Sequence, residues 1–475
     1  MDRVVAIDLG AESGRVLTVT LTDDGFQQEE IHRFPNNPVQ ANGVLYWDVL
    51  RLWHEIQIGL DAAGSGAISI GLDAWGVDFA LLDKAGQLVA NPVHYRDART
   101  NDVMNWVFER IPRQTIFERT GLQFMQLNTL YQLASMLRAK SSVLNAASTY
   151  LSIADLFLYW LGGKPVCEFT HATTTQFYNP REGNWDWETL GAIGAPLEIF
   201  PEIIQPGSQI GHYHDIPIIA PGTHDTASAV VGIPTMAEDF AYISSGTWSL
   251  VGLELNAPII NEAAYQANVT NEGGYAGTYR FLKNVSGMWL VQQSRATWKA
   301  IGREYNYDQL ARIAENESPF MSFIDPDDPT FLAPGDMPAR IREYCLHSGQ
   351  PVPESDGQVI RTIYESLALK YRHVLERMSA ASGKAFSRVH IIGGGSQNAL
   401  LCQMTADAMG CPVYAGPSEA TAIGNAMVQF ISMGKIGSLA EARAILNRST
   451  AMKIYEPKNK ADWEEAYARF SKLAK

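Results

Sequence analysis

The chain begins with apolar, β-prone runs separated by a small polar turn. Val4 to Ile7 forms one run, which breaks at Asp8-Leu9-Gly10, and Val16 to Leu21 forms the next. This pattern predicts two strands joined by a tight turn. Backbone N–H groups in such a turn are not hindered by side chains and can converge on phosphate oxygens. The first hairpin therefore predicts an anion-binding site.

A later part of the chain repeats the plan of this hairpin. Residues 240–253 form a β-prone run, a Ser-Gly-Thr turn at 245–247 and a second β-prone run. A supersecondary plan that recurs along one chain is typical of a duplicated fold. The pattern therefore predicts two related halves, each with its own strand hairpin.

Helical spacing and a glycine triplet mark the region after residue 360. Apolar residues from Tyr364 to Met378 keep the spacing of one helix face, and a strand over Val389–Ile392 runs into Gly393-Gly394-Gly395. A further helix follows and ends at Gly410, a typical C-terminal glycine. Together with a helix predicted from Asp48 to Leu60, this order of helices and strands indicates an α/β fold.

A further turn with a glycine near its start, over residues 221–228, follows the predicted strand Ile216–Ala220 and contains Asp225. Polar groups also follow the strand Ile68–Leu72, at the position where ligands bind in α/β sheets. The chain lacks both the P-loop spacing G-x-x-x-x-G-K-[ST] and the dinucleotide spacing G-x-G-x-x-G. The glycine-rich stretches thus predict phosphate chemistry at a site that is neither a P-loop nor a dinucleotide-binding turn. They disfavour an enzyme that transfers hydride.

Length, charge and cysteine usage narrow the class of protein. The 475 residues exceed what one core usually spans and predict two domains, 1–235 and 236–475. The formal net charge of −14 argues against a nucleic-acid or anionic-membrane partner. The N-terminus lacks the apolar core of a signal peptide, and no run approaches the roughly 18 apolar residues of a spanning helix. We therefore expect a cytoplasmic protein whose four widely spaced cysteines are reduced.

Five ordered blocks of the sequence carry a resemblance to a known family. The chain resembles the superfamily of actin-like, sugar-kinase and heat-shock-chaperone ATPases, and within it the FGGY carbohydrate kinases. The resemblance implies two duplicated ribonuclease H-like domains with an active-site cleft between them. The blocks, beside the first hairpin and the glycine triplet, are 75–79, 95–100, 223–229, 244–250 and 271–274.

The blocks are most similar to family members that phosphorylate the first carbon of L-rhamnulose with MgATP. This resemblance implies that L-rhamnulose 1-phosphate and ADP are the products, within L-rhamnose catabolism, and that ATP and Mg²⁺ are required. A sugar would be the small-molecule partner, and the protein would be a monomer or a homodimer. Two alternatives stay open: a kinase for another ketose, such as L-fuculose or a pentulose, and an actin- or chaperone-like ATPase without a sugar acceptor.

The resemblance also assigns roles to individual residues. It places Asp225 as the catalytic base, and Asp8, which ends the first strand beside the phosphate turn, would hold the waters of the magnesium ion. The ATP contacts that it implies are Ala11, Glu12, Ser13, Gly14, Arg15, Gly246, Thr247, Gln292 and Gly394. The sugar contacts that it implies are Gly76, His224, Asp225, Thr226 and Asn284. Glu12 departs from the family pattern, in which small or hydroxylated residues are usual at this position.

Overall fold

Strands and helices alternate along the chain in the computed structural model, which describes residues 2–474. The strands are β1 (Asp2–Leu9), β2 (Ser13–Thr22), β3 (Gly25–Pro35), β4 (Val39–Ala41), β5 (Val44–Tyr46), β6 (Ile70–Ala74), β7 (Phe79–Leu82), β8 (Thr149–Ser152), β9 (Cys167–Glu168), β10 (Tyr178–Asn179), β11 (Asn184–Trp185), β12 (Ile203–Ile204), β13 (Gln209–Tyr213), β14 (Ile216–Ile219), β15 (Phe240–Ser245), β16 (Trp248–Leu255), β17 (Thr270–Gly273), β18 (Tyr279–Ser286), β19 (Arg388–Ile392), β20 (Val413–Ala415) and β21 (Lys453–Tyr455).

The α-helices are α1 (Val49–Ala63), α2 (Val103–Phe108), α3 (Arg113–Thr120), α4 (Thr129–Arg138), α5 (Ser142–Ala146), α6 (Ile153–Trp160), α7 (Phe169–Ala172), α8 (Trp187–Ile193), α9 (Asp225–Val231), α10 (Glu262–Ala267), α11 (Trp289–Ala300), α12 (Tyr307–Glu315), α13 (Met337–His347), α14 (Asp356–Ser382), α15 (Ala399–Met409), α16 (Ala420–Ser432), α17 (Leu439–Ser449) and α18 (Lys460–Phe470). Short 3₁₀ turns occupy Ala98–Thr100, Leu197–Ile199, Tyr275–Gly277, Pro329–Phe331 and Gly394–Gln397. No helix among residues 2–474 is both long enough and apolar enough to cross a membrane.

The first sheet has six strands in the order β13-β14-β6-β1-β2-β3. Strand β1 is antiparallel to β2, as the sequence predicts for the first hairpin, and parallel to β6. Strand β14 is parallel to β6 on its other side. The carboxyl ends of β1, β6 and β14 therefore meet at one edge of this sheet.

Alternate residues of β1 pack into two different cores. Val5 and Ile7 face a cluster that includes residues of α1 and α6, whereas Val4 and Ala6 face a cluster with residues of α16 and α17. This follows from the period of two along a strand, because successive side chains point to opposite faces. The first sheet is therefore covered by helices on both faces.

The second sheet repeats this plan. Strand β15 is antiparallel to β16 and parallel to β19, which is parallel to β20, and β21 closes the edge antiparallel to β20. The long helix α14 buries most of its apolar side chains, among them Ile363, Leu367 and Leu375. The duplicated hairpin that the sequence predicts is thus present in both halves, and the fold is a two-domain α/β fold.

Residue contacts divide the chain into two compact units. Unit 1 contains residues 2–236, 254–281 and 420–450, and unit 2 contains residues 237–253, 282–419 and 451–474. The chain first passes from unit 1 to unit 2 after residue 236, one residue from the domain boundary predicted at 235/236. Two later segments, 254–281 and 420–450, belong to unit 1 again. A single boundary along the chain does not describe these two segments.

Candidate active site

The site in unit 1 is built where three strands of the first sheet end. Register pairs Asp8 of β1 with Asp73 of β6, and the backbone N–H of Ala74 donates to the carbonyl of Thr223 at 2.8 Å. A bridge also pairs Ala74 with His224. These pairings bring polar residues that are far apart in the sequence to one edge of the sheet.

The first hairpin places a tight turn next to Asp8. The N–H of Gly10 donates to the carbonyl of Ser13 at 2.9 Å, and Asn36 bonds to the carbonyls of Gly10 and Glu12. The Glu12 residue is exposed, so its carboxylate can remain in water. A Cβ at Gly14 would collide with the ring of Phe34, which explains why glycine is required at that position.

Arg15 and Asp8 form an ion pair across this hairpin. The guanidinium contacts one carboxylate oxygen, Asp8 Oδ2, through Nε at 3.0 Å and through Nη2 at 2.7 Å. Asp8 is buried, so the guanidinium of Arg15 supplies the opposite charge that a carboxylate shielded from water needs. The structure thus brings together two of the residues that the sequence predicts for phosphate and magnesium binding.

Asp225 is the first residue of α9 and keeps 28% of its side chain exposed. The hydroxyl of Thr226 donates to Asp225 Oδ1 at 3.1 Å. Burial raises the pKa of Asp225, the neighbouring His224 opposes this effect, and the charge of Asp8 adds to it. Asp225 is therefore a partly accessible carboxylate with increased proton affinity, as is typical of a general base.

Asp73 is a third carboxylate at this edge, which the sequence reasoning did not single out as a functional residue. Its side chain is fully buried, its Oδ2 accepts a hydrogen bond of 2.6 Å from Asn425, and its Oδ1 has no hydrogen-bond partner. Burial, together with the charges of Asp8 and Asp225, raises its pKa well above the ordinary value. Its place near the end of β6, beside Asp8 of β1, can be recognised only once the strand order is known.

His224 lies immediately before Asp225 and is buried. Its Nε2 is 3.5 Å from Asp225 Oδ1, and a Cβ built on Gly76 would lie 3.0 Å from the same Nε2. The structure therefore brings together four of the five residues predicted to contact the sugar, namely Gly76, His224, Asp225 and Thr226. The fifth, Asn284, lies in β18 in unit 2.

The backbone around His224 is held by buried polar residues that sequence reasoning missed. The carboxylate of Glu168 accepts from the N–H of Thr223 at 3.0 Å and from its hydroxyl at 2.7 Å. His171 contacts the same hydroxyl at 3.0 Å and the carbonyl of Trp75 at 3.1 Å. Burial lowers the pKa of His171 to about 3, so this ring is neutral. These residues fix the turn that presents Asp225.

Next to Gly76, Val77 adopts a left-handed backbone conformation with φ of 66°. This conformation is strained for a β-branched residue. The hydroxyl of Thr129 and the side-chain amide of Gln132 donate to the carbonyl of Val77 at 2.6 Å and 3.3 Å. Gln132 also donates to the buried Asp78, whose pKa is raised to about 6 by burial. The strained turn is therefore held by side chains of α4.

In unit 2, the second hairpin packs against the start of α11. The N–H groups of Met288 and Trp289 donate to the carbonyls of Gly246 and Thr247 at 3.1 Å each. The side-chain amide of Gln292 contacts the hydroxyl of Thr247 at 3.3 Å. Three residues predicted to contact ATP, Gly246, Thr247 and Gln292, are therefore neighbours.

The glycine triplet lies beside this second hairpin. Gly393 has φ of 78°, and a Cβ there would lie 3.0 Å from the carbonyl oxygen of Ser245. A Cβ at Gly395 would collide with the Ser245 side chain, whereas Gly394 is exposed and a Cβ there would meet no atom within 4 Å. Bare backbone at Gly394 is thus accessible to a flat ring such as a nucleobase.

The sequence matches two models of one protein family. The model of the N-terminal domain of the FGGY family of carbohydrate kinases matches residues 3–232, and the model of the C-terminal domain matches residues 241–433. The matched segments cover both strand hairpins and all the predicted site residues.

Proteins of known sequence with high similarity span the whole chain. A rhamnulokinase of Bacteroides thetaiotaomicron is 44% identical over 478 residues, which cover 98% of each chain. A rhamnulokinase of Pectobacterium atrosepticum is 41% identical over 484 residues, covering 99% of this chain and 96% of the relative.

Solved structures with low sequence identity share the fold. A xylulose kinase from Lactobacillus acidophilus superposes with a TM-score of 0.81 at 16% identity, covering 100% of this chain and 98% of the other. A glycerol kinase from Plasmodium falciparum superposes with a TM-score of 0.77 at 15% identity, covering 99% and 97%. At this level of identity the likeness concerns the fold alone.

Proposed function

Because this chain belongs to the FGGY family of carbohydrate kinases, we propose that it transfers the terminal phosphoryl group of ATP to the first-carbon hydroxyl of L-rhamnulose. The products are L-rhamnulose 1-phosphate and ADP. Full-length identity of 40–44% to rhamnulokinases supports this choice of sugar. The reaction itself rests on one observation, the half-buried Asp225 at the start of α9 with a raised pKa.

Asp225 acts as the general base in this proposal. Its carboxylate accepts the proton of the sugar hydroxyl as the oxygen attacks the phosphorus atom. Phosphoryl transfer passes through a loose transition state, in which positioning and charge neutralisation matter more than the strength of the base. Asp225 therefore needs mainly the correct placement, which its position at the start of α9 and the Thr226 hydrogen bond provide.

The sugar site lies around Asp225. The backbone of Gly76 lies so close to His224 that a Cβ there would be 3.0 Å from Nε2, so glycine allows these two sugar contacts to share one site. Thr226 and Asn284 supply further hydrogen-bonding groups. The strained turn at Val77 supports a functional role for this segment, because such strain clusters at ligand sites.

The nucleotide contacts follow from the two hairpins. The turn at Ala11, Glu12 and Ser13 offers backbone N–H groups to phosphate oxygens, and Gly14 and Arg15 continue it. Gly246 and Thr247 offer an equivalent turn, while Gln292 and the exposed backbone of Gly394 take the adenosine.

The acidic residues of unit 1 fit a magnesium ion bound through water and phosphate. Asp8 and Asp225 offer the hard oxygen ligands that Mg²⁺ prefers, and Mg²⁺ uses only one or two carboxylates while it keeps several waters. No group of three His, Cys, Asp or Glu residues in the described chain is arranged to hold a metal ion by itself. When bound, the ion neutralises charge on the phosphate oxygens. We assign Asp8 as the carboxylate that holds its waters.

We propose that the enzyme is cytoplasmic and is active as a monomer or homodimer. ATP is the cosubstrate, and the described cysteines are free thiols, as a reducing compartment favours.

The deciding experiment measures ADP release with MgATP across L-rhamnulose, L-fuculose, L-ribulose, D-xylulose, glycerol and no sugar. We expect strong dependence on L-rhamnulose. Asp225→Asn should lower kcat by roughly 10²–10⁴-fold, the usual effect of losing a general base, and leave the KM for ATP nearly unchanged. Asp215→Asn, which changes an exposed aspartate in the same unit, is the matched control and should behave as the parent.

Other outcomes identify the alternatives. Preference for L-fuculose or a pentulose would keep the reaction and change the sugar. Equal turnover without sugar would indicate an actin- or chaperone-like ATPase. Near-normal turnover in the Asp225→Asn variant would contradict the assignment of the base.

A further inference from the structure

A buried tyrosine of α14 is hydrogen-bonded to the second hairpin of unit 2. The hydroxyls of Tyr371 and Ser249 share a hydrogen bond of 2.7 Å, and both residues are buried. Ser249 lies in β16, two residues after Thr247. A buried hydroxyl that loses its partner costs more free energy than a typical hydrogen bond contributes. The pair therefore ties the start of β16 to α14.

Ser249 also packs against the segment 286–289, which holds the turn of this hairpin. A Cβ built on Gly287 would collide with the hydroxyl and the backbone nitrogen of Ser249. The two residues after Gly287 donate their N–H groups to the carbonyls of Gly246 and Thr247. The place of Ser249 therefore influences how this segment meets the turn.

Asp327 holds the same segment at its start. Its Oδ1 accepts a hydrogen bond of 2.9 Å from the N–H of Ser286, and its Oδ2 lies 3.1 Å from Lys370 Nζ. Lys370 precedes Tyr371 in α14, is almost fully buried and also contacts Asp325 at 2.7 Å. Two consecutive residues of α14 thus support the turn by two routes.

The buried charges around Lys370 favour a defined geometry more than net stability. Burial disfavours the ammonium, but the charges of Asp327 and Asp325 raise the pKa of Lys370 above its ordinary value. Buried ion pairs contribute little net stability, because both partners lose their contact with water. The ionised lysine nevertheless keeps Asp327 in place against Ser286.

We propose that Tyr371 and Asp327 are positioning residues for ATP. Tyr371 acts through Ser249. Asp327 acts through Ser286, and together they fix the turn at 246–247. Neither side chain touches a substrate in this scheme. The link to ATP rests on the proposed function, whereas the coupling between Tyr371 and Ser249 does not.

The first test is a double-mutant cycle. Tyr371→Phe removes one hydroxyl and keeps the ring, and Ser249→Ala removes the partner hydroxyl. We expect each variant to raise the KM for ATP about tenfold, the equivalent of one lost hydrogen bond, and to leave the KM for L-rhamnulose unchanged. The double variant should match the single variants, because all three lose the same bond. Independent effects, which would multiply to about a hundredfold, would overturn the claim that Tyr371 acts through Ser249.

Tyr131→Phe is the matched control for Tyr371→Phe. Tyr131 of α4 is also fully buried, and its hydroxyl makes no hydrogen bond to the residues that the structure describes. This variant should keep the parent's KM for ATP. Unfolding temperatures are measured for all variants in parallel. If Tyr371→Phe lowers the unfolding temperature but keeps the parent's KM for ATP, its role is structural only and the proposal is wrong.

The second test changes Asp327. Asp327→Ala removes the acceptor for the N–H of Ser286, whereas Asp327→Asn keeps an acceptor oxygen. We expect the KM for ATP to rise about tenfold in the alanine variant and to stay near the parent's value in the asparagine variant. Equal KM values in the two variants would overturn the claim that Asp327 acts through Ser286.

Binding of MgATP to the parent, measured by titration calorimetry, separates this proposal from the proposed function. Absence of binding would contradict both, although the coupling of Tyr371 to Ser249 would still appear as non-additive changes in unfolding temperature. ATP turnover that does not depend on L-rhamnulose would contradict the proposed sugar only. The shifts in the KM for ATP would then still support the two positioning residues.

Discussion

At the scale of single residues, the site concentrates negative charge where the protein gains little stability from it. Asp8, Asp73 and Asp225 lie at adjoining ends of β1, β6 and the segment after β14. The charges of Asp8 and Asp225 raise the pKa of Asp73, and the charge of Asp8 raises that of Asp225. Arg15 compensates Asp8, whereas Asp73 has only the amide of Asn425. Such destabilising charge is typical of functional sites.

Replacing Asp73 by Asn should therefore stabilise the protein. The folded state raises the pKa of Asp73, so it holds the proton more tightly than the unfolded chain does, and stability falls as the pH rises from the unfolded pKa through the folded one. Asparagine removes this loss and can still accept the hydrogen bond from Asn425. We expect the unfolding temperature of Asp73→Asn to exceed that of the parent by about 2–4 °C at pH 8, in EDTA.

Calorimetry across pH checks the sign of this effect. The difference between Asp73→Asn and the parent should shrink as the pH falls, because the parent carboxyl is then protonated in both states. Asp215→Asn, at an exposed position, should show no such trend. A lower unfolding temperature for Asp73→Asn at pH 8 would contradict the prediction.

At the scale of elements, helix α9, which begins with Asp225, packs against α16. A Cβ at Gly424 of α16 would overlap the carbonyl oxygen of Ser228 in α9, and a Cβ at Gly232 would overlap that of Ala420. The two helix backbones therefore approach closely enough that glycine is required. This contact places α9 relative to the first sheet.

Gly424→Ala should destabilise the protein by at least about 1–3 kcal/mol, the usual cost of overpacking, because the colliding atom belongs to the backbone and cannot rotate away. Gly191→Ala is the matched control: Gly191 also lies within a helix, α8, but a Cβ there would meet nothing within 4 Å. That substitution should stabilise the protein by about 0.5–1 kcal/mol, the helix preference for alanine. Denaturant unfolding measures the change in the free energy of unfolding for each variant. Equal changes would show that α9 and α16 can move apart without a free-energy cost.

At the scale of the whole molecule, unit 1 is assembled from three separate segments. Its sheet places Val4 and Ala6 against Ile423 and Met427 of α16, which lies more than 400 residues later in the chain. Helix α17 contributes to the same cluster. The first 236 residues alone therefore lack most of the side chains that cover one face of their central sheet.

A fragment of residues 1–236 should not fold to a native-like state. The apolar residues of β1 and β2 that α16 and α17 cover would be exposed to water, and such a patch favours a loosely packed or aggregated state. We expect strong binding of the dye ANS and no cooperative thermal transition by circular dichroism. The full chain under the same conditions is the control, and a cooperative transition without ANS binding would refute this expectation.

The sequence determined the features that depend on residues near one another in the chain. The apolar run around Asp8-Leu9-Gly10, the glycine turn before Asp225 and the triplet at 393–395 each predict their local structure, because strand periodicity and glycine conformations are local properties. Their order along the chain was enough for the duplicated α/β fold and for a resemblance to one kinase family.

The tertiary structure decided which distant residues share an environment. The pairing of Asp8 with Asp73 depends on strand order, the contact of Arg280 with His224 joins residues 56 apart, and the bond from Asn425 to Asp73 joins residues 352 apart. No local pattern encodes such contacts, since they arise from the packing of whole elements against each other. Charge coupling at the site depends on these contacts, and for that reason only the folded chain reveals it.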